Sequence, residues 1–282
     1  MARTPVAPIA VRPETAVSAH RGGGEDAPGG TYEAYLAAVA TGADYVEFDI
    51  RRTADARLVA FHDASIGPGQ AVADVSYERL CQVAGYQVPQ VADIMRLIAG
   101  RAMGHLDLKE RGGEELIIGQ ALEMLGPGGF VATTLDDACA RVIRDRFPGV
   151  PVGLSLGRDL SGLAAPRRVA ARRAELFPLP RLRACGADWC AMHHRLARAG
   201  VLRQCHRHGI KTMVWTVNGD AAITRLLIDA RVDVVVTDRP RRAVELRGRK
   251  SDDLSAVSFP AAGRLNRRAD TRQASDGGDH DE

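Results

Sequence analysis

Four short stretches carry side chains able to do acid–base, metal or phosphate chemistry: His20-Arg21, the segment A-D-Y-V-E-F-D-I at 43–50, His62-Asp63, and G-H-L-D-L-K at 104–109. Strand alternation in 43–50 sends Val46, Phe48 and Ile50 to one face and Glu47 and Asp49 to the other. In 104–109 the same alternation puts His105, Asp107 and Lys109 on a single face. Glu47, Asp49 and Asp107 are hard oxygen donors of the kind that hold Mg2+ or Ca2+. Those three carboxylates and one dication sum to a single negative charge, which Arg21 and Lys109 over-neutralise by one. A phosphodiester monoanion returns the sum to zero, so the expected ligand is a small anionic phosphate ester. Lys109 is one of only three lysines in a chain that otherwise writes positive charge as arginine. A compact ammonium on an inward strand face suits a phosphate oxygen. A plainer account pairs Glu47 and Asp49 with Arg21 and Arg51, Lys109 with Asp107, and leaves His20 and His62 as hydrogen-bonded core residues.

These groups can act together only if the fold brings distant strand ends to one place. Strand patterns run at 16–20, 45–50, 58–62, 104–109, 130–134, 151–156, 187–193, 211–217 and 232–237. Helical patterns lie between them: 32–41 with Thr31 as N-cap and Gly42 at its end, 76–83, 90–99, 114–125, 135–147, a stretch reaching 175, 196–208 and 220–230. Roughly eight strands alternating with helices indicate an α/β protein with a parallel sheet, and favour a single (β/α)8 TIM barrel. A doubly wound sheet is the alternative, but R-G-G-G-E-D lacks the G-x-G-x-x-G spacing of its dinucleotide loop. The expected layout is an N-terminal extension at 1–15, the barrel at 16–248, and a disordered tail at 249–282 where apolar periodicity disappears. In such a barrel Glu47 and Asp49 point to the axis near the C-terminal rim, where active sites gather.

With 282 residues, 45% of them hydrophobic, the chain can bury one large core. Its net charge of +3 argues for neither nucleic acid nor an anionic surface as a partner. No stretch approaches the ~18 apolar residues of a membrane span. Prolines and an acid interrupt the first fifteen residues where a signal peptide needs an apolar run, so the expected location is cytoplasmic. Five scattered cysteines suggest reduced thiols rather than a disulfide framework. Cys190, His193, His194, Cys205, His206 and His208 contain zinc-ligand types, but alternation sends Cys190 and His193 to opposite faces, which argues against a zinc site. The run R-R-V-A-A-R-R at 167–173 reads as a solvated helix face.

In order along the chain, H-R-G, then G-A-D-Y-V-E-F-D-I-R-R-T-A-D-A-R-L-V-A-F-H-D, H-L-D-L-K, V-W-T-V-N and V-D-V-V-V-T-D-R-P resemble the glycerophosphodiester phosphodiesterases, over about residues 17 to 240. The resemblance implies a (β/α)8 barrel that uses a divalent metal, Mg2+ or Ca2+, to cleave a glycerophosphodiester into glycerol 3-phosphate and an alcohol. It implies metal ligands at Glu47, Asp49 and Asp107, an acid–base pair at His20 and His62, phosphate contacts at Arg21 and Lys109, and Trp215 on the glycerol side. Attack by the substrate's own neighbouring hydroxyl, with water then opening a cyclic phosphate, is part of the same implication. Three departures stand out. Gly29-Gly30-Thr31 replaces the family's usual Glu-Asn-Thr, and S-I-G-P-G follows His62-Asp63 in place of Arg-Thr-Thr. Asp107 stands where the third ligand is typically Glu, about 1.5 Å shorter in reach. The alternatives are a divergent phosphodiesterase or cyclising lyase on an unusual phosphodiester, a chemistry that phospholipase D-type toxins run on a similar barrel, and a non-catalytic barrel that binds a phosphorylated metabolite.

Overall fold

The computed structural model describes residues 14–67 and 69–256. Eight parallel strands form its centre: β1 (Ala16–Ala19), β2 (Tyr45–Arg52), β4 (Met103–Leu108), β5 (Phe130–Thr134), β6 (Val152–Leu156), β7 (Trp189–His193), β8 (Lys211–Trp215) and β9 (Val234–Thr237). Each pairs with the next, and β1 pairs in parallel with both β2 and β9, which closes the sheet into a barrel. One expectation needs correcting. Residues 58–62 supply no barrel strand: β3 (Leu58–Ala60) runs antiparallel to β2, with Ile50 opposite Ala60. The link from Arg52 to Leu58 forces this, because a tight turn can join antiparallel neighbours whereas a parallel crossover needs a dozen residues or more. In that turn Thr53 donates its hydroxyl to Asp55 at 2.6 Å.

The helices follow the expected order: α1 (Tyr32–Ala40), α2 (Tyr77–Ala84), α3 (Val91–Ile98), α4 (Glu114–Leu125), α5 (Asp137–Arg146), α6 (Ala165–Leu176), α7 (Leu179–Cys185), α8 (His194–Arg198), α9 (Val201–Arg207), α10 (Asp220–Leu227) and α11 (Pro240–Ala256). Thr31 caps α1 by accepting from the Ala34 amide at 3.3 Å, as its position in the sequence suggests. α7 is an addition to the expected helices, and the stretch read as one helix over 196–208 is in fact broken. Pro178 lacks the amide needed to continue α6, and Pro180 sits in the first turn of α7, where a missing amide costs nothing. Gly200, at φ +94°, separates α8 from α9. The last helix extends to Ala256, eight residues into the segment expected to lack structure, while 1–13 and 257–282 lie outside the described residues.

Two apolar layers hold the barrel. Val46, Phe48, Ile50, Leu106, Leu108, Leu154 and Cys190 belong to the layer between strands and helices. Val131, Trp189, Ala191, Met213, Val234 and Val236 fill the barrel interior. The alternation of β2 is therefore kept: its apolar face meets the helices, and Glu47 and Asp49, each 3% exposed, face the axis. The arginines of 167–173 lie exposed on α6, and Arg172 pairs with Glu175 at 2.6 Å.

Candidate active site

The end of β1 turns sharply through His20, Arg21 and Gly22. Arg21 adopts a left-handed backbone, φ +51°, a conformation that costs a non-glycine residue about 1–2 kcal/mol. The turn aims the Arg21 amide at Glu47, whose Oε2 accepts it at 2.7 Å. Gly22 is required next, because a Cβ there would lie 2.7 Å from the Ala34 carbonyl carbon and the Tyr35 nitrogen of α1. His20 Nδ1 hydrogen-bonds Asp238 Oδ1 at 2.6 Å, just past the end of β9. Asp238 is held in turn by the Asn218 side-chain amide, which donates to Oδ2 at 2.6 Å. Burial works against a charged His20, but the Asp238 hydrogen bond and the nearby Glu47 outweigh it and raise its pKa.

β2 and β4 run in register, with Glu47 beside His105 and Asp49 beside Asp107. Lys109 Nζ bridges them: it lies 2.7 Å from Asp49 Oδ1 and also pairs with Asp107 Oδ2. Arg21 Nε lies 3.0 Å from Asp49 Oδ2. Burial would raise the Asp49 pKa, yet these two cations hold it below the usual carboxylate value. Glu47 lacks such a cation against it, so burial and the adjacent Asp49 push its pKa to about 8. Burial is also the first influence on Lys109, but three surrounding carboxylates raise it above the usual lysine value.

Glu47, Asp49 and Asp107 each present an oxygen within 4.8 Å of the others, and they are the group of metal-ligand type found among the described residues. Asp49 Oδ1 is fully buried, with the Lys109 ammonium 2.7 Å away as its counter-charge. Three hard oxygens drawn within reach of one another, crowded by like charge and largely removed from water, fit a divalent cation. The zinc-type set does not assemble. Cys190 and Cys205 are buried in the outer layer, while His193 packs edge-on to Trp215 with centroids 5.3 Å apart.

All eight residues singled out from the sequence line one cavity of about 370 Å3 at the C-terminal ends of the strands. His62 reaches it from the segment after β3, with its carbonyl clamped by Arg51 Nε and Nη2 at 3.0 and 2.9 Å. Its Nδ1 lies 2.7 Å from Asp63 Oδ1. Trp215 closes the wall from β8. His105 sits at the base, fully buried between Ser18 and Thr133, and burial pushes its pKa down to about 4. A larger groove of about 890 Å3 lies outside the barrel against α8–α10. Its single carboxylate, Asp229, is already paired with Arg231, so the candidate chemistry belongs to the smaller interior cavity.

Sequence reasoning missed Asp238, Asn218 and Thr133. Each is a polar residue at or just beyond the end of a strand that points to the rim, a signal readable once the barrel is drawn. The partners could not be paired from the sequence: His20 and Asp238 stand 218 positions apart.

A closed (β/α)8 barrel with buried carboxylates, cations and two imidazoles around one rim cavity defines the class of barrel phosphodiesterases. Residues 20–110 and 167–242, more than half of the chain, match the model of the glycerophosphoryl diester phosphodiesterase family. The chain belongs to that family, and thus to the phosphoric diester hydrolases. A glycerophosphodiester phosphodiesterase from Caldanaerobacter subterraneus subsp. tengcongensis is 25% identical over 261 residues, covering 83% of this chain and 98% of its own. A glycerophosphodiester phosphodiesterase from Parabacteroides distasonis shares the fold with a TM-score of 0.67 at 19% identity, over 84% of this chain and 98% of its own. A phosphodiesterase from Oleispira antarctica, solved with the product sn-glycerol-3-phosphate, superposes with a TM-score of 0.65 at 18% identity, over 83% of this chain and 96% of its own. Among the described residues no helix is long and apolar enough to cross a membrane.

Proposed function

We propose that this chain hydrolyses a glycerophosphodiester to glycerol 3-phosphate and an alcohol, with a divalent metal, Mg2+ or Ca2+, held by Glu47, Asp49 and Asp107. The observation that carries the reading is the convergence of those carboxylates, Lys109, Arg21, His20 and His62 on one cavity. A bound dication would supply Lewis-acid stabilisation of charge on the phosphoryl oxygens. Arg21 and Lys109 hold the phosphate beside it, with their own counterions already fixed by the Asp49 and Asp107 contacts. Preset cations of this kind need little rearrangement as charge grows on the phosphorane-like transition state.

His20 is bound to Asp238 through Nδ1, which leaves Nε2 as the nitrogen that can serve the substrate. Its raised pKa suits it to give a proton to the departing alkoxide. His62, similarly tied through Nδ1 to Asp63, takes the proton of the attacking hydroxyl. Each contributes about 10²–10⁴ in rate. Trp215 offers an apolar wall to the glycerol carbons. The Oleispira antarctica relative was solved with the same product.

The test is release of glycerol 3-phosphate from glycerophosphocholine and glycerophosphoethanolamine with Mg2+, Ca2+ or EDTA, for wild type and His20→Ala. Metal-dependent release that disappears in His20→Ala supports the reading. A cyclic phosphate that accumulates without opening would instead make the chain a lyase. No turnover by folded protein with either metal would overturn the glycerophosphodiester assignment.

A further inference from the structure

Asp107 is one methylene shorter than the glutamate usual at its place in the family motif, and its carboxylate is not left to find its own orientation. Thr133 stands beside it on β5, register for register, and donates its hydroxyl to Asp107 Oδ1 at 2.8 Å. Thr133 Oγ1 lies 3.1 Å from His105 Nε2, and His105 Nδ1 lies 3.1 Å from Ser18 Oγ. Ser18 and Thr133 are at most 1% exposed and His105 is 4% exposed, so water does not compete for these bonds.

The direction of every bond in this chain follows from the inventory of protons. An ionised Asp107 only accepts, so the single Thr133 proton goes to Oδ1. Thr133 Oγ1 must then accept from His105, which places a proton on Nε2. A neutral imidazole has nothing left to donate at Nδ1, which therefore accepts from the Ser18 hydroxyl. All three donors point toward the Asp107 carboxylate, and donors aligned in series polarise one another.

The rotamer of Thr133 is fixed as well. Its neighbour across the next register step is Gly153 on β6, and a Cβ there would lie 3.0 Å from Thr133 Cγ2. The missing side chain leaves the seat that the threonine methyl occupies. A β-branched residue has few χ1 choices, so seating the methyl against Gly153 turns the hydroxyl toward Asp107 and His105.

We propose that Thr133 is a positioning residue for Asp107, held in its donor geometry by His105, Ser18 and the Gly153 seat, and that this relay sets the divalent-metal affinity of a site whose third carboxylate is short. The inference rests on reading Glu47, Asp49 and Asp107 as metal ligands. Groups that hold a metal's ligands in place are worth about 10–100-fold in affinity.

The experiment is calorimetric titration of Mg2+, Ca2+ and Mn2+ into EDTA-stripped, desalted full-length protein, comparing wild type, Thr133→Val, Thr133→Ser, Gly153→Ala and Asp107→Asn. Thr133→Val keeps the shape and removes the hydroxyl, and its fold is checked by circular dichroism. The expected result is a metal Kd about 10–100-fold weaker for Thr133→Val, with Thr133→Ser recovering most of it and Gly153→Ala falling between. A second readout is the 15N spectrum of the His105 ring, which should show the Nε2–H tautomer in wild type. If Thr133→Val binds metal within about twofold of wild type while Asp107→Asn loses binding, the relay is overturned and the metal site stands. If Asp107→Asn binds as wild type does, or wild type binds none of the three ions, the metal-ligand reading fails and takes the relay with it.

Discussion

Replacing Asp238 by asparagine removes a charge from the His20 pair and leaves side-chain size unchanged. The aspartate accepts from His20 through Oδ1 and from Asn218 through Oδ2, each at 2.6 Å. An asparagine offers one accepting oxygen, so His20 loses its ionic partner and one of the two hydrogen bonds goes unmet. Hydrogen bonds to charged groups contribute about 1.5–3 kcal/mol. The Asp238 side chain is 40% exposed, however, and screening reduces the effect to roughly 1–1.5 kcal/mol. Without its ionic partner the His20 pKa should fall back toward the ordinary histidine value. If His20 is the proton donor, activity is lost as pH rises through its pKa, so the alkaline limb of kcat/KM moves toward acid in Asp238→Asn.

The same pair predicts a stability signature. His20, raised from 6.5, contributes stability that is full below 6.5 and lost as pH rises through its folded value. Asp238, lowered from 3.8, contributes stability present above 3.8 and lost as pH falls through its folded value. Both contributions hold only between those limits. The Tm gap between wild type and Asp238→Asn is therefore widest near about pH 5, at around 2–4 °C, and narrows as pH rises through the folded His20 value. An acid limb that moves in place of the alkaline one would exchange the roles of His20 and His62. A pH profile that does not move, together with a Tm gap that is flat across pH, would refute the coupling altogether.

Other outcomes follow from the same geometry. Divalent metal at one hundred times its Kd should stabilise the stripped wild type by about 2.7 kcal/mol, seen as a rise in Tm, and Asp49→Asn should show almost none of that rise. Lys109→Met leaves two carboxylates without their shared ammonium; urea unfolding in EDTA should show a loss of about 3–5 kcal/mol, and kcat should fall even with metal restored. Gly22→Ala meets the α1 backbone and a positive φ together, so thermal melts should show at least about 1–2 kcal/mol of destabilisation, with activity falling as the Arg21 amide leaves Glu47.

What was legible in the sequence is what local pattern dictates. The alternation of β2 and β4 gave the inward faces of Glu47, Asp49, Asp107 and Lys109, because period two ties a side chain to a face without knowledge of neighbours. Residues 58–62 misled for the same reason: an apolar run says strand but not direction, and the short link to β2 decides direction. The break at Gly200 was present as a residue, yet helical periodicity on both sides hid it. The hydrogen-bond partners of His20 and His105 lay out of reach because they depend on which strands become neighbours when the barrel closes. The departures at Gly29-Gly30-Thr31 and after His62-Asp63 fall on loops, where no repeat constrains position.

The closure of the barrel through β1 has a consequence for the newborn protein. Glu47, Asp49, Asp107 and Thr133 all leave the ribosome in the first half of synthesis, and their strands are sequential neighbours. His20 emerges before any of them, yet the carboxylate that orients it arrives 218 residues later, beside the strand that seals β1 from its other side. A half-made chain can thus gather its cluster of acids but cannot aim its imidazole. On the role proposed for His20, hydrolysis has to wait until translation has delivered the final strand.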